Sequence, residues 1–171
     1  MLREAAPTIS RLALLWDPST GRDQLEIAQA VARAKGLETV VVEMSQREDF
    51  DAALRGLDNR QRFGIVQLAS PGLIVVAAKI AAAAQRHRMP TISSLKAYAR
   101  AGAMMSYGPV QEVYLQRAVV LADKILKGEK SGDIPIEQPN KFEFVINLTT
   151  AQALGLTIPA SLLSRADEVI Q

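Results

Sequence analysis

"RLALLWDPSTGRDQLEIAQAVARAKGLETVVVEM", residues 11–44, decides the fold. It opens on an apolar run, Arg11 to Trp16, that reads as a buried strand. The run breaks at Asp17-Pro18-Ser19-Thr20-Gly21, five turn-forming residues in a row. Residues 22–35 then place Leu25, Ala28, Val31 and Ala32 on one helical face, and Gly36 stops the helix. "ETVVVEM" is a second strand. Strand, turn, helix and strand within 34 positions is the spacing of a βαβ unit.

The same unit recurs downstream. Ser45, with Glu48 three residues on, reads as a capping box for a helix over about 46–57. "FGIVQLA" is a third strand, and Ser70-Pro71-Gly72 opens a helix that runs to about Arg88. "PTIS" is a short fourth strand, "SLKAYARAG" a short helix and "AMMSYG" a fifth strand. A long helix follows over about 110–127, ended by Gly128. The strands are apolar throughout, which suits a parallel sheet covered by helices on both faces. Right-handed crossovers then give an α/β, doubly wound, mostly parallel sheet in strand order 2-1-3-4-5.

The tail departs from this rhythm. "GEKSGDIPIEQPNK", 128–141, is turn-rich and holds two prolines. An extended "FEFVINL", a short helix "TTAQALG" and "IPASLLSRADEVI" follow, with Pro159 suited to the first turn of a last helix.

Bulk properties narrow the function. The chain has 171 residues, enough for one domain with a sizeable core. Its 20 basic and 18 acidic residues are too balanced to favour nucleic acid, and aromatics make up only 5%. There is no cysteine, which excludes disulfides and thiolate metal sites. "MLREAAPTIS" lacks the apolar core of a signal peptide. "GLIVVAAKIAAAA" is 13 residues long and includes Lys79, whereas a bilayer span takes about 20 residues.

In an open parallel sheet, ligands bind beyond the carboxyl ends of the strands. Five loops meet that rule: Trp16 to Thr20, Met44-Ser45, Ala69 to Pro71, Ser93-Ser94 and Ser106 to Gly108. They are rich in hydroxyls and suit a small polar or aromatic molecule. The same residues are also ordinary caps and turns, and both readings stay open. "PSTGRD" has one glycine and no lysine, short of the glycine-rich loop and lysine that cradle a phosphate. A flavin would want aromatics at the third and fourth strand ends, and none is there. A phosphoryl-accepting receiver would need clustered carboxylates after the first strand, aspartate after the third and lysine after the fifth. The chain offers Asp17, Ala69 and Gly108 at those places. The one histidine, His87, lies at a helix end where a solvated cation is expected. No G-x-S-x-G is present, and no carboxylate run has metal-ligand spacing. The expectation is a protein without catalysis, cofactor or metal.

"AGAMMSYGP" and "RAVVLADKILKGEKSGDIPIEQPNKFEFVINLTTAQALGLTIPASLLSRADEVIQ" resemble the C-terminal part of ABC-transporter substrate-binding proteins of the tryptophan/tyrosine type. "LREAAPTISRLALLWDPS" and "RHRMPTISSLKAYARAGAMMSYG" extend the resemblance over essentially the whole chain. Two positions depart from the family: "WDPST" stands where an Asn-Pro turn is usual, and Ser93-Ser94 where an aromatic-glycine pair is common. The resemblance implies a type I periplasmic-binding fold, with two α/β lobes, a hinge of crossing segments and a solute between the lobes. It places residues 1–109 in one ligand-binding lobe. Residues 110–128 become a helix normally belonging to the other lobe, and 129–171 a crossover with C-terminal helices returning to the first-named lobe. By usual domain size, about a hundred residues of the other lobe and a signal peptide would precede residue 1 in full-length members.

By the same resemblance the solute-contacting residues are Asp17, Pro18, Ser70 and Ser106, with Tyr107 where the chain crosses between lobes. The implied partners are a small, amino-acid-like solute and an ABC permease, with a periplasmic location. The chain as written carries no signal peptide, so it would be cytoplasmic were it the complete product. Val110, Val113, Tyr114, Ala118, Leu121, Ile125 and Leu126 form an apolar stripe on the long helix. An exposed stripe of that size marks association, so a symmetric homodimer through 110–128 is expected. The alternatives are a helix folded back on its own sheet, a ligand-free association module derived from such a protein, and a flavodoxin-like enzyme.

Overall fold

The computed structural model describes residues 1–45, 49–57 and 62–171. Seven strands form one sheet in the order β2-β1-β3-β4-β5-β6-β7. β1 (Arg11–Trp16), β2 (Glu38–Glu43), β3 (Phe63–Gln67), β4 (Thr91–Ser93) and β5 (Met105–Pro109) are parallel, in the expected order. β6 (Phe142–Asn147) joins β5 antiparallel, and β7 (Glu168–Ile170) runs parallel to β6.

Alternation along each strand divides the core between the two faces. On one face Leu12, Leu14 and Trp16 pack with Met105, Phe144 and Ile146, under α1 (Leu2–Ala5), α2 (Asp23–Ala34), α8 (Leu148–Ala153) and α9 (Ala160–Leu163). On the other face Ala13, Leu15, Phe63 and Ile65 pack under α3 (Phe50–Arg55), α4 (Pro71–Val75) and α5 (Ala77–Arg86). Each fully buried Leu or Ile contributes roughly 1.5–3 kcal/mol, which makes these two layers the main source of stability.

Several elements differ from the sequence expectation. The helix expected over about 46–57 is α3, Phe50–Arg55, and Asp49 caps it by accepting from the amides of Asp51 and Ala52. The Glu48 half of the proposed capping box lies outside the described residues. The helix expected to run from Pro71 to about Arg88 is two helices, broken at Val76 (φ −109°, ψ 14°). The break falls at a pair of β-branched valines, which crowd a helix. Pro159 stands just before α9 as its cap rather than inside its first turn. The segment after α9 turns into β7. His87 faces Asp51, with Nε2 and Oδ1 3.3 Å apart, rather than standing free in solvent.

α7 (Gln111–Leu126) matches the long helix of the sequence, and no residue on it is buried. It does not fold back on the sheet. It leaves the lobe after β5 and returns through 127–141 to β6, and Val110 N donates to Lys141 O at 3.1 Å where the two strands part. Arg117 pairs with Glu137 across an apolar groove of about 690 Å³ between α7 and residues 131–141. α8 follows β6, which runs antiparallel to the first five strands, so the C-terminal segment sits at their amino ends. Their carboxyl ends are left open by it.

Candidate functional site

The carboxyl ends of β1 and β3 are stitched together by side chains. Asp17 Oδ1 accepts from Ser19 N (2.9 Å) and Ser19 Oγ (2.7 Å), which tightens the turn after β1. Asp17 Oδ2 accepts from Ser70 Oγ at 2.5 Å. Ser70 caps α4, its Oγ accepting from Gly72 N (3.0 Å) and Leu73 N (3.1 Å). Gln24, from the first turn of α2, clamps the same loops. Its amide donates to Ala69 O (2.8 Å) and accepts from Ala69 N (3.0 Å), and also donates to Thr20 Oγ1 (2.9 Å).

Strand register brings further polar groups into line. Leu15, Gln67, Ser93, Ser106 and Val145 are successive partners across β1, β3, β4, β5 and β6, so their side chains share one face. Tyr98, on α6 (Lys96–Arg100), covers that row and donates from its hydroxyl to Ser70 O at 3.1 Å. Burial pushes the Tyr98 phenol pKa up, so the hydroxyl keeps its proton. The Gln67 amide lies beside this hydroxyl without reaching hydrogen-bond geometry. The hydroxyls of Ser93, Ser94 and Ser106 have no partner among the described residues. Ser93 is 4% exposed and Ser106 1%, and polar groups so buried are normally satisfied.

Asp17, Ser70 and Ser106 therefore line one continuous polar seam between the strand ends and α4 and α6. Pro18 is exposed beside Asp17 at the start of a 3-10 turn. Tyr107 stands apart. It follows Ser106 in a strand, so its side chain points to the opposite face, where it stacks on Phe142 (5.8 Å) and meets Phe144 edge-on (6.4 Å). Ser70 has spent its hydrogen-bonding capacity, donating once and accepting twice. Gln24, Gln67 and Tyr98 were not singled out from the sequence. Only Gln67 left a signal there, as a polar side chain ending an apolar strand.

Hydrogen bonds from Ser70, then from Ser19, hold the Asp17 carboxyl below its ordinary value of 3.8, against the opposing effect of burial. A carboxyl whose pKa is depressed by folding adds stability above the unfolded value and loses it as pH falls through the folded value. Carboxyl-carbon NMR titration is expected to give Asp17 a midpoint below 3.8. In Ser70→Ala that midpoint is expected to rise toward the ordinary value, and an unchanged midpoint would contradict the assignment of its cause. Among the described residues no three His, Asp or Glu side chains gather to hold a metal ion, and no helix is long and apolar enough to cross a membrane. Taken together, the seam can offer hydrogen bonds and one negative charge to a small molecule.

Comparison with known proteins shows the fold and the family. A tyrosine-binding protein of Clostridioides difficile (strain R20291) is 23% identical over 159 residues, covering 91% of this chain and 46% of its own length. A conserved domain protein of Vibrio cholerae O1 biovar El Tor has the same fold, with a TM-score of 0.89 at 21% identity over 98% of this chain and 57% of its own. So does an ABC domain of Streptococcus pneumonia solved in complex with L-Trp, with a TM-score of 0.89 at 23% identity over 99% of this chain and 58% of its own. The chain thus spans about half the length of these relatives. The model of the ABC transporter substrate binding protein family matches residues 1–170, and the chain belongs to that family.

Proposed function

We propose that the chain is one lobe of a solute-binding protein serving an ABC-type uptake transporter. It holds a small, amino-acid-like molecule, without covalent chemistry, at the carboxyl ends of β1, β3, β4 and β5. One observation carries this reading: hydroxyls and a carboxylate gather at the carboxyl ends of four strands, beneath Tyr98 and away from the C-terminal segment. The L-Trp complex of one similar structure and the tyrosine named for one relative support an amino acid. A permease is then the partner, and the working place lies outside the inner membrane.

Two lobes that close on a ligand bury most of its surface. One lobe alone leaves the ligand on an open shelf, where water competes for each hydrogen bond. The isolated chain is expected to bind amino acids with a dissociation constant of about 1 mM or weaker, worth about −4 kcal/mol. Calorimetry against a panel of amino acids checks this. A micromolar constant would reject the open shelf, and no heat from any of them at millimolar concentration would reject the binding reading.

Residues 110–128 and the strap after them fit a second lobe. Leu115 is 68% exposed, Val119 69% and Leu126 88%, and such an apolar face calls for cover. The same exposure favours a second reading, in which two copies of the chain cover this helix for each other. Light scattering at micromolar concentration separates the two. A mass twice 18.5 kDa supports the homodimer, and a monomer assigns the helix to the other lobe.

A further inference from the structure

We infer that this lobe reads a cationic nitrogen on its solute, through Asp17, and requires no carboxylate of it. The inference rests on the solute-binding reading above and narrows the ligand class.

Asp17 is the one charged residue in the five strand-end loops, 16–20, 44–45, 69–71, 93–94 and 106–108. A carboxylate has about four acceptor positions. Asp17 fills three, two on Oδ1 from Ser19 and one on Oδ2 from Ser70, and every donor is neutral. One position on Oδ2 stays open, and the charge has no ion-pair partner among the described residues. Two cations of neighbouring segments, Arg22 and Lys96, are committed elsewhere. Arg22 lies over the Trp16 ring and 3.6 Å from Glu26. Lys96 is 2.8 Å from Glu143 and 3.7 Å from Glu168.

The unpartnered hydroxyls of Ser93 and Ser106, both more than nine-tenths buried, lie on the same sheet face as this carboxylate's seam. They can serve a carbonyl, a hydroxyl or an amine, but they bring no positive charge. An ammonium at Asp17 therefore gains a charge-assisted hydrogen bond. A carboxylate placed there meets repulsion and finds only neutral donors.

The test uses three indoles that differ only in their charged groups: tryptamine, L-tryptophan and indole-3-propionate. Each is titrated to millimolar concentration into the full chain, and the backbone amide signals of Asp17, Ser19, Ser70 and Ser106 are followed by NMR. Tryptamine and L-tryptophan are expected to shift these signals and indole-3-propionate to leave them in place. Asp17→Asn keeps an acceptor for Ser19 but turns an amide toward the Ser70 hydroxyl. It is expected to weaken tryptamine at least tenfold and to lower stability only by the loss of that one bond, so the melting curve shifts but stays a single cooperative transition. In the unmodified chain, added NaCl is expected to weaken tryptamine, which tests the charge without any variant. Indole-3-propionate binding as well as tryptamine, or salt-independent binding of tryptamine, would overturn the inference and leave the solute-binding reading standing. Silence from all three removes both.

Discussion

Gly108→Ala is expected to destabilise the chain by about 3 kcal/mol or more, at the upper end of the range for overpacked sites. A Cβ at position 108 would lie 1.7 Å from the carbonyl oxygen of Ser94 and 2.7 Å from its carbon. Both are backbone atoms, held by the β4–β5 pairing of Ser93 with Ser106, so no side chain can swing aside to make room. The neighbouring strand ends must separate. For a chain of this size the loss corresponds to a fall in melting temperature of roughly 6–12 °C. Gly132→Ala is the control. Nothing lies within 4 Å of its added Cβ, and the change is expected to stay within about 0.5 kcal/mol. A Gly108→Ala protein that melts with the control would show that the two strand ends do not approach this closely. Because Ser93, next to Ser94, and Ser106 belong to the polar row, the same substitution is expected to abolish solute binding in whatever fraction remains folded.

Asn147→Ala is expected to cost about 2–4 kcal/mol, the sum of a lost helix cap and a stranded buried carbonyl. Asn147 is buried where β6 passes into α8. Its Oδ1 accepts from Thr150 N at 2.9 Å, and its Nδ2 donates to Ala99 O at 3.0 Å at the end of α6. One side chain thus joins three elements. Asn147→Asp keeps the cap acceptor but turns a carboxylate toward the Ala99 carbonyl, so it recovers only part of the loss. Urea unfolding of the three proteins orders them, with the aspartate variant expected between the other two or level with alanine. An alanine variant as stable as the parent would show that neither bond matters to folding.

The parallel core was legible because its strands are apolar on both faces and its turns carry Gly, Pro, Ser and Asp. Its order is the simplest one that right-handed crossovers allow. The antiparallel entry of β6 and the addition of β7 were not legible. "ADEVI" has neither the length nor the alternation of a strand; it pairs in parallel with β6, and Asp167, accepting from Phe144 N, helps align it there. Asp17 and Ser70 were visible as strand-end residues, yet not as partners, since 53 positions separate them. Gln24 gave no sign of its role for the same reason. Its partner is the backbone of Ala69, and a backbone has no identity in the sequence. The separation of Tyr107 from Ser106 follows from strand alternation, but only once both residues are known to lie within β5.

Pro109 and Phe142 face each other as the last pair of β5 and β6. The polypeptide therefore departs and re-enters at neighbouring points, and everything from 110 to 141 is an excursion from what would otherwise be an ordinary β-hairpin. No buried side chain of the sheet's two layers is drawn from that excursion. Evolution or a designer can lengthen, shorten or exchange it without disturbing the register of a single strand, which makes this junction a modular graft point.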